Sequence, residues 1–249
     1  MSSMGASNAL PEQISMTINR LLSFQDICDL ALQRTGALVS IPLLGKISLL
    51  FVFRLNNKSL LNLECLIRRK SIIDWVLREI DAEIATLSHH LSPPSKISVC
   101  DIGCGLGLAN IALANRFDIR NLVLIDIERT DTVYHDFNNQ GAGYASLETA
   151  KKVMRDAVPG LPVLTINPMR QDLSAVQQSF DLITSYISCG FHYPADSYVD
   201  FFRSRLAPDG EIVLDLRKGQ DHARLLEFFA IKTVVNDASG HRRVILRRK

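Results

Sequence analysis

The stretch Val99-Cys-Asp-Ile-Gly-Cys-Gly-Leu-Gly107 constrains the fold of this chain more than any other. It reads as an apolar strand that runs into glycines at 103, 105 and 107 and then into the helical segment LANIALANRF. Alternating glycines after a strand permit a tight backbone turn, and they leave no side chain between the backbone and a nucleoside-bearing ligand. Asp101 stands at the strand's end, where a carboxylate can meet a cationic group on that ligand. A pair of glycines alone is weak evidence, but strand, acid, three glycines and helix in succession are more specific.

The rest of the chain supplies a frame for this turn. After Ser92-Pro-Pro-Ser95, strand and helix alternate, as in a mostly parallel sheet covered by helices. Strands are expected at 96–102, 121–126, 162–167, 180–185 and 211–216, with helices at LANIALANRF, SLETAKKVMRDA and SYVDFFRSRLA. The runs IKTVVND and RRVILRR, separated by Ala238-Ser239-Gly240, read as a closing antiparallel hairpin. Before the Pro-Pro break the spacing of apolar residues is helical from about 14 to 91, with Gly36 expected to cap one of the helices. Two regions are therefore expected, an N-terminal helical region over 1–95 and an α/β domain over 96–249.

The order of elements in the second region, with its glycine turn and closing hairpin, resembles the class I methyltransferases. That resemblance covers 96–249 and implies a Rossmann-like, mostly parallel seven-stranded sheet ending in an antiparallel hairpin, with S-adenosyl-L-methionine as cofactor. Nicotinamide and flavin enzymes instead use G-x-G-x-x-G, which would need glycine at 108, where this chain has Leu108. Nineteen residues beyond Gly107 comes Asp126, placed to accept hydrogen bonds from both ribose hydroxyls, with Glu128 close by as an alternative. The resemblance assigns Asp172 to the cofactor's adenine amino group, although an Asp before SAVQQ also suits a helix N-cap. The cofactor set is thus Asp101, Gly103, Gly105, Gly107, Asp126 and Asp172.

The acceptor side is read from two loops. An expanded stretch, Arg129 to Ser146, contains Tyr134 and His135 and suits a substrate-facing loop as well as a plain surface loop. The segment after the fourth strand, Thr184 to Pro194, lacks the Pro-Pro-aromatic tetrapeptide of amino methyltransferases and the Pro-Cys pair of cytosine-carbon enzymes; it also lacks the acidic cluster of magnesium-dependent catechol enzymes. What it offers is His192 with Tyr193 beside it, and Arg217 at the end of the fifth strand, a set suited to deprotonating a hydroxyl. The GFHYP loop, with GAGYASLETA, is similar to bacterial methyltransferases of sugars and surface glycans. O-methylation of a sugar or other small molecule is the expected activity. A nicotinamide-dependent oxidoreductase and a non-catalytic cofactor-binding module are the alternatives.

Composition sets the surroundings. The net charge of +2 does not point to nucleic acid, which calls for a concentrated basic stripe. Five cysteines without a CxxC pair fit neither zinc nor a disulfide framework, so a reducing cytoplasm is expected and no metal. The first residues lack a signal peptide's basic and apolar regions. The apolar stretch 37–53 is interrupted by Pro42, Gly45 and Lys46 and is short for a membrane span, which needs about 20 apolar residues. It is expected to be a buried helix or pocket wall, with contact at a membrane interface as the second reading.

Overall fold

The structure, a computed structural model, describes residues 12–55, 57–128 and 145–249. Two compact units divide the chain, one ending at Ile84 and one running from Ala85 to Lys249. The division falls inside a helix and not at the Pro-Pro break, since α6 (Arg69–Ser88) continues across it.

The first unit is helical, with α1 (Glu12–Leu21), α2 (Phe24–Gln33), α3 (Gly36–Val39), α4 (Pro42–Leu55), α5 (Ser59–Ile67) and most of α6. Ser23 starts α2 through a capping box: its hydroxyl accepts the Asp26 N–H at 3.1 Å, and the Asp26 carboxylate accepts the Ser23 N–H at 2.8 Å. Gly36 is not the C-cap expected of it. It opens α3, and a Cβ there would overlap the indole of Trp75, so glycine serves close packing at this position. The stretch 37–53 is only partly the buried element expected: Ala37, Leu38 and Val52 are buried, whereas Ile41, Ile47 and Leu50 are exposed. No helix among the described residues is long and apolar enough to cross a membrane.

The second unit is built on a seven-stranded sheet of order β3-β2-β1-β4-β5-β7-β6. Its strands are β1 (Lys96–Ile102), β2 (Asp118–Ile125), β3 (Val163–Ile166), β4 (Phe180–Ser185), β5 (Leu206–Arg217), β6 (Phe229–Asp237) and β7 (His241–Arg248). The first five pair in parallel, and β7 runs antiparallel to both β5 and β6. Helices α7 (Leu108–Ala114), α8 (Leu147–Ala157), α9 (Val199–Arg205) and α10 (Ala223–Phe228) accompany it. β1 is buried from Ile97 to Ile102, the near-continuous burial that a central parallel strand requires. β5 begins at Leu206, before the expected start at 211, because Leu206 already pairs with Phe180 of β4. Buried Glu211 of β5 tethers the hairpin by receiving Lys232 Nζ at 2.7 Å and Arg247 Nη2 at 2.8 Å.

After β1 the chain winds outward through β2 and β3, then returns to the other side of β1 for β4 and β5. The connections that follow β1 and β4 therefore diverge, leaving a crevice at the carboxyl ends of these two strands, where open α/β sheets bind ligands.

Candidate active site

The glycine turn occupies that crevice. Gly103, Gly105 and Gly107 have φ of 71°, 54° and 74°, the left-handed region in which a Cβ is costly. Their surroundings differ. A Cβ on Gly103 would overlap the side chain of Ser188, in the loop after β4, whereas among the described residues no heavy atom lies within 4 Å of one built on Gly105. The turn thus touches the β4 loop on one side and, among the described residues, faces open space on the other. Asp126, just beyond β2, closes the arrangement: its Oδ2 accepts the Gly105 N–H at 2.8 Å and its Oδ1 accepts the Glu128 N–H at 3.3 Å. Burial pushes the pKa of Asp126 up, against these hydrogen bonds.

Asp101 sits differently from its expected place against a ligand. Its carboxylate is buried, with Oδ2 accepting Asn110 Nδ2 at 2.6 Å and Oδ1 accepting Thr184 Oγ1 at 2.9 Å. It therefore joins β1 to α7 and β4 beneath the turn. Burial raises its pKa to about 6, in spite of both hydrogen bonds and with help from the nearby Asp126 charge. Between pH 4 and pH 6 the folded chain keeps a proton that the unfolded chain has released, so stability falls as pH rises through this window. Asp101→Asn should accordingly gain on wild type, by up to about 3 kcal/mol, from pH 4 to pH 7. Urea unfolding of both proteins across that range checks this; a pH-independent difference would place the titration elsewhere.

The loop after β4 is held by a few short-range contacts. Ser185 Oγ donates to the Ile102 carbonyl at 2.7 Å and accepts the Cys189 N–H at 2.9 Å, binding the loop to the end of β1. The Ser188 carbonyl accepts the N–H groups of Phe191, His192 and Tyr193 at 3.0, 2.8 and 3.1 Å, which fixes the turn carrying His192. Ile187 has φ of 52°, a strained value for a β-branched residue that costs on the order of 1–3 kcal/mol. Its N–H donates to Asp215 Oδ2 at 3.0 Å. Asp215 is buried on β5 and held by Arg243 of β7 at 2.8 and 2.9 Å, so the β5–β7 pair stabilises the strained loop.

His192 is half-buried against the edge of the Phe191 ring, with 4.9 Å between centroids. Burial first, and the Arg217 charge second, push its pKa below the ordinary histidine value. The Arg217 N–H donates to the Gly190 carbonyl at 2.9 Å, and its guanidinium lies 6.0 Å from the Phe191 ring. Tyr198, which the sequence did not single out, belongs to the same region. Burial pushes its hydroxyl pKa up, and the charges of Cys189, Asp126, Cys100 and Tyr193 add to this.

Of the expected site residues, the structure brings Asp101, the three glycines and Asp126 together at the adjacent ends of β1 and β2, with His192 and Tyr193 on the loop after β4 and Arg217 at the end of β5. Asp172 stands apart: it is exposed and caps a short 3-10 turn by accepting the Ser174 N–H at 2.8 Å, the N-cap alternative of the sequence reading. Tyr134 and His135 lie outside the described residues. A cleft of about 510 Å³ beside β3 is lined by Glu128, Thr165, Asn167, Gln171, Glu148 and Lys151, among others. Glu128 there accepts Asn167 Nδ2 at 2.7 Å. Among the described residues no cluster of three or more His, Cys, Asp or Glu could hold a metal. Sequence reasoning missed Ser185, Ser188, Asp215, Arg243 and Tyr198. Asp215 alone left a signal, an acid inside an apolar strand that a cation had to neutralise.

Neither family models nor curated proteins match the sequence. Solved structures do match: "Putative methyltransferase yhhF" from Escherichia coli is similar over 69% of this chain and 84% of its own, at 11% identity and a TM-score of 0.51. The fold is Rossmann-like, with a mixed seven-stranded sheet. Magnesium protoporphyrin IX methyltransferase from Synechocystis PCC 6803, with bound SAM, is similar over 70% of this chain and 79% of its own, at 17% identity and a TM-score of 0.47. In this fold the antiparallel β7 lies between β5 and β6, an arrangement distinct from an all-parallel sheet.

Proposed function

We propose that the chain is an S-adenosyl-L-methionine-dependent methyltransferase acting on a hydroxyl of a small molecule, a sugar being the class suggested by its loop after β4. The observation that carries the reading is the pairing of Asp126 with the Gly105 N–H beside open space. A left-handed glycine turn and a carboxylate held against it fit a nucleoside: the backbone admits its bulk, and the carboxylate retains acceptor capacity for ribose hydroxyls. The cofactor would supply an electrophilic methyl group that needs no further activation. Gly103, Gly105, Gly107 and Asp126 would hold it. Asp101 would act through the turn that it anchors, and Asp172 is left with its capping role.

For a hydroxyl acceptor the protein has to align the reactants and take up a proton. His192 meets the second need, because its lowered pKa keeps it neutral at pH 7. Tyr193 and Arg217 would orient the acceptor from either side of this loop. Calorimetric titration with S-adenosylhomocysteine tests the cofactor site. Asp126→Ala, and the shape-preserving Asp126→Asn, should weaken binding by about 10- to 150-fold, the worth of a charged hydrogen bond. Binding at wild-type strength by both variants, or binding of NAD by the wild type, would overturn the reading.

A further inference from the structure

The helices α4 and α5 bury Val52, Leu61 and Cys65 and yet leave other large apolar side chains in solvent. Two polar side chains share the buried side: Ser48 is fully buried and hydrogen-bonded to buried Glu64, which pairs with Arg68 Nη1 at 2.6 Å. Arg68 also donates to the carbonyls of Ala37 and Leu38 at 3.1 and 3.2 Å, so this network ties α3 and α5 together around α4's one buried hydroxyl. Other apolar side chains point outward. On α4, Ile47 and Leu50 are exposed at a spacing of three, and on α5, Leu63, Leu66 and Ile67 are exposed at spacings of three and four. Leu66 and Ile67 expose 67% and 73% of their surface. Two neighbouring helices that each leave large apolar side chains in solvent and bury their single acid are suited to an apolar environment outside the chain.

Charge identifies that environment. The only acid on α4, α5 or the described part of their connection is Glu64, which is buried and neutralised by Arg68. The charges left toward solvent are Lys46, Arg54 and Lys58, all cationic. Apolar side chains fringed by cations match an anionic lipid surface, where helices lie in the interface with long basic side chains reaching the headgroups. A second copy of the chain is a poorer occupant, since a two-fold contact would set these cations against their own counterparts. We infer that α4 and α5 form a docking surface for an anionic lipid bilayer, on which the chain lies without crossing it. This inference does not rest on methyl transfer.

Sedimentation of the full chain with vesicles tests it. The wild type should bind vesicles that mix phosphatidylcholine with phosphatidylglycerol and leave pure phosphatidylcholine vesicles largely free. The double variant Leu66→Asn, Ile67→Asn should lose about tenfold or more in partitioning, and Leu50→Asn, on the other helix, should weaken it as well. Lys46→Gln and Arg54→Gln should each cost about fivefold. All these side chains are exposed, so the variants should keep the wild-type circular dichroism and thermal midpoint. Three results would overturn the inference: no binding of the wild type to the mixed vesicles, binding that ignores the apolar substitutions, or a lipid-free dimer that Leu66→Asn, Ile67→Asn dissociates.

Discussion

Replacing His192 by Ala is expected to lower kcat by about 10²- to 10⁴-fold, the usual worth of a positioned general base, with little change in cofactor affinity. A neutral alcohol is a poor nucleophile until its proton is taken up, so loss of the proton acceptor falls on the chemical step. His192 is suited to that step because burial and the neighbouring Arg217 charge depress its pKa. The sign of the pH effect follows. Activity should persist below the ordinary histidine range and decline only as pH falls through the lowered value. Arg217→Gln removes the second cause and should shift that acid limb upward, toward the ordinary value. Single-turnover methyl transfer across pH is the measurement. A His192→Ala protein within about threefold of wild type at every pH would exclude the residue from proton transfer.

The second large effect belongs to Gly105. Gly105→Val should abolish cofactor binding, and two causes act together. The backbone holds φ of 54°, where a β-branched side chain costs on the order of 1–3 kcal/mol. The new methyl groups would also project into the open space beside Asp126, which the proposed ligand needs. Gly105→Ala separates the causes, since it carries backbone strain with less bulk, and it should bind weakly where Val does not bind at all. Calorimetry with S-adenosylhomocysteine, with a thermal melt to confirm folding, gives the comparison. A folded Val variant of wild-type affinity would place the ligand away from this turn.

The alternatives raised by the sequence separate on the same experiments. An oxidoreductase would bind NAD, and Leu108 at the start of α7 removes the third glycine that such enzymes use. A non-catalytic module would bind S-adenosylhomocysteine, respond to Gly105→Val, and show no turnover for His192→Ala to slow.

Local features of the chain determined its framework. Apolar runs broken by Gly, Pro and Asn place six of the seven strands and the hairpin within about three residues, since backbone sterics and side-chain period act over short distances. The exception is β5, which starts five residues before its expected 211 because Leu206 pairs with Phe180 of β4. The glycine turn and Asp126 were legible for the same reason: φ above zero and an acid at a strand end are local requirements. Tertiary packing decided what those residues touch. Asp101 looked free to meet a ligand until Thr184, brought from another strand, and Asn110 took its two oxygens. Gly36 looked like a helix cap until Trp75 filled the space beside it. Ser188 acquired its role because Gly103 lies against it, and Asp215 because Arg243 of β7 pairs with it. Which apolar side chains of α4 and α5 stay in solvent was likewise a tertiary outcome: Val52, Leu61 and Cys65 are buried, whereas Ile47, Leu50, Leu66 and Ile67 are exposed. Periodicity in a sequence states that a helix or strand has two faces; which face is buried depends on partners that only the folded chain brings within hydrogen-bonding distance.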